Sequence, residues 1–247
     1  MKFIRKTSEP QDFTDWRTQN PQWRWEDFKG RAACNNLRDS LLREQGYICC
    51  YCERGIGEKN GEIQGHFEHV MPQSYKDKNG VAVGRQRELD YHNIVFSCTK
   101  VIGRHQVDDN GDKVTCGHQK GDWYDENLFV TPLQERCESM FRYKDDGTIV
   151  PANGSDSCVA QETIERLKLN GEPLDVGLES FLVRERKATI AGLWETWEKE
   201  HSDSDSTETL RWATDELTRF SDGKFAPFWT TKRQVFEEIL GQKLIIQ

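Results

Sequence analysis

Four cysteines constrain this chain more than any other feature: Cys49 and Cys52 in a Cys-x2-Cys turn, then Cys98 and Cys116. Two thiolates presented by one tight turn match half of a tetrahedral zinc site. Cys98 and Cys116 supply the other half, although the 17 residues between them make this knuckle longer than usual. Cys50 is a poor substitute, because Cys50-x-Cys52 is too cramped to be the preferred pair. Two rival readings stay open. The thiols are simply buried, or Cys49 and Cys52 are a redox pair, against which the lack of a surrounding βαβ pattern speaks. Cys34, Cys137 and Cys158 receive no role, since lone core thiols are common. Met1 to Lys6 is basic but leads into no apolar stretch, so a cytoplasmic chain is expected, where such spacing favours metal over disulfide. No run approaches the roughly 20 apolar residues of a membrane span.

Between the two cysteine pairs lies Gly65-His66-Phe67-Glu68-His69-Val70-Met71-Pro72-Gln73-Ser74, and after it Asn93. His66 to Val70 reads as a strand. Adjacent strand residues face opposite ways, so Glu68 and His69 serve one centre only if the hairpin curls around an ion. His69 is the candidate general base, because imidazole titrates near working pH. Glu68 is the candidate ligand of a hard divalent cation such as Mg2+, which prefers carboxylate oxygen. That cation would stabilise a charged phosphate and a departing oxygen. Asn93 would tie down the loop after the strand and orient His69. His118 would be the cation's second protein ligand, and Lys120 would touch the phosphate. A lone histidine is more often a packing residue; it is the ordered set that singles out His69. His66 stands evenly between ligand and packing. His92 and His105 read as loop histidines, with zinc contact open to His105, and His201 as solvated.

The formal charge is −8, which opposes nucleic-acid binding. The acidity is uneven. Residues 1–126 carry 19 Lys and Arg against 20 Asp and Glu, whereas residues 127–247 carry 15 against 22. A near-neutral half binds DNA weakly alone, because affinity comes mainly from phosphate neutralisation. A partner is therefore expected to supply basic surface.

The pattern predicts three regions. Residues 1–46 form an N-terminal helical segment packed on the core by Trp16, Trp23, Trp25 and Phe28. Its first helix is expected to be capped at Ser8, and its last to carry Leu37, Leu41 and Leu42 up to a stop at Gly46. Residues 47–130 hold the cysteines and the acid–histidine pair, with loops at 76–89 and 101–115. Residues 131–247 begin with a hairpin from Ser139 to Pro151, turning at Asp145-Asp146-Gly147. Helices are predicted at Gln161–Leu169, from Leu174 to about Glu200, and near 207–220 and 231–241. On the long one, Trp194 and Trp197 are core or partner anchors.

The chain resembles the retron-associated and Septu-type HNH endonucleases of bacterial anti-phage defence. The resemblance runs through Leu37 to Gln45, Cys49 to Arg54, His66 to Ser74, Asn93 to Cys98, and Cys116-Gly117-His118-Gln119-Lys120-Gly121. It extends to Asp146-Gly147 and Leu167-Lys168-Leu169-Asn170. The Glu68-His69-x-x-Pro72-Gln73-Ser74 string is also similar to the HNH domain of RNA-guided CRISPR nucleases. In one respect the chain departs: many HNH proteins place the last histidine directly after its cysteine, where Gly117 stands here. His118 is shifted by one, and water or Asp122 is the substitute ligand. The resemblance implies an α+β fold: a ββα-metal HNH core with a zinc knuckle, N-terminal helices and a mostly helical C-terminal half. It implies a metal-dependent DNase with structural zinc and catalytic Mg2+. It also implies an ABC-type ATPase subunit as partner and, in retrons, a reverse transcriptase system. A non-catalytic zinc-stabilised DNA-binding or adaptor module is the alternative from another class, though it has no use for a base beside a metal carboxylate. An RNase of the same fold is the other alternative.

Overall fold

The computed structural model describes residues 1–59, 61–98, 115–154, 156–172 and 179–245. The chain starts with three helices, α1 (Gln11–Gln19), α2 (Trp25–Phe28) and α3 (Ala32–Gln45). Aromatic residues three apart give α1 and α2 one apolar side each. Phe28 packs on Phe13 at 4.9 Å, Trp16 at 4.7 Å and Trp25 at 5.6 Å between ring centroids. Burying a ring of this size stabilises the fold by about 1.5–3 kcal/mol. The predicted cap at Ser8 is not formed. Helix α1 starts later, at Gln11, and the Pro10 carbonyl accepts from Phe13 and Thr14 instead. The stop at Gly46 is formed: its φ of 61° is left-handed, and Tyr47 N–H reaches back to the Leu42 carbonyl at 2.9 Å. Glycine is required there twice over, since a Cβ would lie 2.2 Å from the Phe225 ring.

Two tiny strands, β1 (Glu58–Lys59) and β2 (Glu62–Ile63), precede the central pair, β3 (Gly65–His69) and β4 (Ile94–Cys98). This pair is antiparallel, with His66 opposite Ser97, Glu68 opposite Val95 and His69 opposite Ile94. The segment expected to be a loop at 76–89 holds one helical turn, α4 (Val83–Gln86). The expected loop at 101–115 and His105 lie outside the described residues, save Thr115. Helix α5 (Cys116–Lys120) then crosses the β3–β4 pair, and Gly117 N–H donates to Ser97 Oγ at 3.1 Å.

The hairpin β5 (Phe141–Tyr143) and β6 (Ile149–Pro151) turns as predicted, with Gly147 at φ 82°. Helix α6 (Ser157–Leu167) starts earlier than expected and ends on a left-handed Lys168. The long helix expected from Leu174 starts at Phe181 as α7 (Phe181–Thr196), because Ser180 Oγ accepts from Val183 N–H at 3.2 Å and caps it. Residues 174–178 lie outside the described residues. After α7 comes one wide turn, Trp197–His201, and then α8 (Ser206–Leu217) and α9 (Trp229–Leu240). No helix among the described residues is long and apolar enough to cross a membrane.

One apolar cluster runs from Met1 to Leu169 and includes Phe13, Leu37, Tyr51, Phe96 and Phe129; a second joins α7, α8 and α9 around Phe236 and reaches Ile48. Trp194 packs half-buried on the second, edge-on to Trp197 at 5.7 Å. His201 is not simply solvated, as it stacks on Trp212 at 4.4 Å.

Candidate active site

The four predicted zinc ligands converge. The sulfurs of Cys49, Cys52, Cys98 and Cys116 all lie within 4.8 Å of one another, and those of Cys52 and Cys98 are 3.5 Å apart. Tetrahedral zinc with bonds of about 2.3 Å needs sulfurs roughly 3.8 Å apart, so the set fits the ion. Cys98 N–H and Tyr51 N–H point at Cys49 Sγ from 3.3 and 3.5 Å, a polarity that suits a thiolate. Burial opposes charge on Cys49, but its thiol neighbours outweigh this and hold it well below the ordinary thiol range. Cys49, Cys98 and burial push the thiols of Cys52 and Cys116 up, so all four could be thiolates together only with a cation to share their charge. Cys116 is held in the left-handed region, φ 56°, at the mouth of α5. Backbone strain at a ligand-bearing residue persists only where the surroundings enforce it. Cys50 stays outside the group; burial and Cys49 push its thiol up.

Two buried polar side chains lie near the cluster. Gln45, at the end of α3, donates to the Ile48 and Phe96 carbonyls at 2.9 and 2.8 Å and accepts from Phe96 N–H at 2.7 Å. From the helical C-terminal half, Arg186 is buried and donates to the Leu182 and Leu169 carbonyls. Burial disfavours its charge, while Tyr143, Cys52, Glu53 and Cys116 favour it. No motif marks Arg186 in the sequence, and Gln45 ends the Leu37–Gln45 stretch of the resemblance without a role assigned to it there.

Glu68 and His69 face opposite ways from β3. Glu68 is 7% exposed and turns toward α5. Its Oε1 meets Lys120 Nζ at 2.8 Å and accepts from Tyr51 OH at 3.1 Å; its Oε2 is 3.7 Å from His66 Nε2. Burial pushes the Glu68 carboxyl up, but His66 and Lys120 outweigh it and hold it below the ordinary range. His118 is exposed on α5, its ring 4.0 Å from that of His66. The side of Oε2 is kept clear by Gly117: a Cβ there would lie 2.6 Å from Oε2 and 2.7 Å from His66 Nε2. An ionised carboxylate oxygen beside a histidine nitrogen is a donor set that suits a hard cation. Among the described residues, the four cysteines are the one group of three or more close metal-ligand side chains, so Glu68, His66 and His118 do not close such a group as they stand. Lys120, expected to reach for phosphate, instead turns inward. It is 3% exposed and also donates to the His69 and Gly121 carbonyls. A buried carboxylate requires such a counter-charge.

His69 lies on the other face, its ring edge-on to Trp25 at 4.8 Å. Its Nε2 is 2.8 Å from the Glu88 carbonyl oxygen. A carbonyl only accepts, so Nε2 carries the proton and Nδ1 presents its lone pair. Burial lowers the pKa of His69, and the Glu88 carbonyl offsets only part of this. The ring is therefore a neutral base at physiological pH. Asn93, 1% exposed, is spent on the backbone: its amide exchanges hydrogen bonds with Met71 at 2.8 and 3.0 Å and donates to the Arg87 carbonyl at 3.2 Å. Its own carbonyl accepts from Val70 N–H at 2.9 Å. It closes the loop after β3, and any influence on His69 passes through the main chain.

No protein-family model matches the chain. Two curated relatives do. The retron Vc95 protein of Vibrio cholerae serotype O1 biovar El Tor, assigned by name as an HNH endonuclease, is 30% identical over 151 residues, 58% of this chain and 61% of its own length. The retron Ec83 protein of Escherichia coli, assigned likewise, is 26% identical over 135 residues, 51% of this chain and 48% of its own length. The chain thus spans about three fifths of the length of the first relative and just under half of the second.

Proposed function

We propose that the chain is an HNH endonuclease that hydrolyses phosphodiester bonds of DNA. The observation that carries this reading is the pairing on β3: a neutral His69, oriented by the Glu88 carbonyl, directly follows an ionised Glu68, and although the two side chains leave opposite faces, Glu68 is near enough to act on the charge of His69. The relatives named as HNH endonucleases support it. His69 Nδ1 would accept the proton of the attacking water. Glu68 Oε2, with His66 and His118 beside it, would hold a divalent cation such as Mg2+. When bound, that ion offsets the charge gathering on the phosphate and the departing oxygen. Lys120 keeps Glu68 ionised, and the zinc-bound cysteines hold α5 against β3 and β4. An adaptor without catalysis would have no need of a tautomer fixed in this way.

The defence role is part of the same reading. Both relatives are named for retrons. A chain of net charge −8 gathers few phosphates unaided, which favours a complex in which another subunit, of the ABC-type ATPase class, brings DNA to the site. The Septu type of system also fits such a pairing.

Incubation of supercoiled plasmid and of a structured RNA, side by side, with the purified chain and Mg2+ or EDTA tests the reading. Metal-dependent nicking of DNA is expected. Cleavage of RNA alone would turn the reading to a ribonuclease, and no cleavage with or without the ATPase would favour the adaptor.

A further inference from the structure

The residues around His69 belong to none of the motifs above, yet they form a distinct electrostatic arrangement. Glu88 lies two residues past the end of α4 and is 2% exposed. Its carbonyl holds His69, and its carboxylate draws two arginines from separate segments. Arg24 NH1 lies 3.3 Å from Oε1 and Arg85 NH1 lies 3.4 Å from Oε2. One buried carboxylate needs one cation; two leave positive charge over. Neither arginine is buried with its partner: the Arg24 side chain is 52% exposed and that of Arg85 48%. Each reaches Glu88 through NH1 and keeps about half of its side chain exposed. Glu88 Oε2 makes no hydrogen bond, so Arg85 is held by charge and not locked by geometry.

The position of this pair matters as much as its charge. Arg24 precedes Trp25, whose ring walls His69, and Arg85 lies three residues before the Glu88 carbonyl that fixes the His69 tautomer. Lys29, just past α2, is close enough to His69 to disfavour its protonation. The residue that holds His69 Nε2 thus also holds Arg24 and Arg85, which sets both guanidinium groups at the border of the His69 site. Guanidinium forks match phosphate oxygens in geometry as well as charge.

We propose that Arg24 and Arg85, set by the buried Glu88, bind a backbone phosphate of the nucleic acid beside His69. The site deepens the nuclease reading and rests on it, naming the residues that seat the strand. Glu88 is then a positioning residue with two tasks: its carbonyl orients the base, and its carboxylate aims the two arginines.

Binding separates this proposal from the nuclease reading. A fluorescent DNA duplex is titrated at low salt, and across a salt series, with His69→Ala protein and with the same protein carrying Arg24→Gln, Arg85→Gln and Glu88→Gln together. The triple change leaves no buried carboxylate unpaired. The expected result is binding at least about tenfold weaker and a log–log salt slope smaller by roughly one to two. Arg85→Gln alone, in which Arg24 still balances Glu88, should lose about one unit of slope even if the triple variant does not fold. Arg24→Lys with Arg85→Lys should keep the slope while losing affinity, as a fork is replaced by a point charge. Unchanged affinity and slope in Arg85→Gln and the triple variant would overturn the proposal, as would undetectable binding by the His69→Ala protein at low salt. If binding depends on the arginines but the unaltered chain never cuts, the rim stands and the nuclease reading falls. If the chain cuts DNA and binding ignores the arginines, the reverse holds.

Discussion

Gly117 lies so close to Glu68 that a Cβ at its position would stand 2.6 Å from Oε2. Many HNH proteins carry a ligand histidine in this slot; here the slot must be empty of side chain because His66 and Glu68 from β3 fill the room in front of it. The absence of a side chain at 117 and the presence of His66 are thus two aspects of one packing solution.

Gly117→Ala tests that relationship. Overpacking of this kind costs typically about 1–3 kcal/mol, and the carboxylate must move to admit the methyl group. The protein should remain folded at 25 °C but bind Mn2+, as a probe for the divalent ion, more weakly, with cleavage down by about ten- to a hundredfold. Isothermal titration with Mn2+ and a nicking assay check both. Wild-type ion affinity in Gly117→Ala would place the cation elsewhere.

The cysteine group predicts one tightly held zinc per chain. Structural zinc couples to folding, so its removal should cost several kcal/mol and lower Tm by roughly 10 °C or more. Metal analysis of freshly purified, unchelated protein should give close to one equivalent. Cys98→Ser should reduce both zinc content and Tm, whereas Cys50→Ser should keep zinc near one equivalent. A Cys98→Ser protein with full zinc and an unaltered Tm would remove Cys98 from the ligand set.

Glu44 predicts a pH dependence of stability. Its carboxylate takes Lys6 Nζ at 2.8 Å, Thr7 N–H at 2.6 Å and Tyr91 OH at 2.6 Å, joining the N-terminal segment, α3 and the turn before β4. Burial pushes its pKa up, but Lys6, Thr7 and Tyr91 together hold it below the ordinary range. A depressed folded pKa means stability that is present above the ordinary carboxylate value and lost as pH falls through the folded one. At pH 7, Glu44→Gln leaves Lys6 buried without its partner and should cost about 3–5 kcal/mol. Denaturant titrations at several pH values should show the gap between wild type and variant narrowing below about pH 4. A gap that does not change with pH would mean that the pair is not ionised in the fold.

What was legible in the sequence is what local pattern encodes. The stop at Gly46, the β3 strand, the turn through Gly147 and the four cysteines all follow from chemistry within a few residues or from spacing. What was not legible depends on contacts distant in the chain. Lys120 looks like a free cation in the sequence, yet the buried Glu68 pulls it inward. His201 sits in a polar stretch, yet Trp212 offers it a face. Gln45 and Glu88 support the two centres through long-range backbone contacts that spacing does not reveal: Gln45 holds the Phe96 backbone, and Glu88 offers its own carbonyl to His69. Trp25 was legible as an apolar anchor but not as the wall of the His69 site. Glu68 and His69 were expected on opposite strand faces, and so they stand, Glu68 on Lys120 and His69 against Trp25.

His69, kept neutral by burial and oriented by the Glu88 carbonyl, is expected to drive hydrolysis of DNA. The direct measurement is the single-turnover nicking rate of supercoiled plasmid by His69→Ala beside wild type, in Mg2+ and with the ATPase subunit if the isolated chain is slow. Near-ultraviolet circular dichroism and zinc content establish that the variant is folded. Loss of a general base typically costs about 10²–10⁴ in rate, and a loss of that size with intact fold and zinc is the predicted result. A folded, zinc-loaded His69→Ala protein that nicks at the wild-type rate would contradict the account.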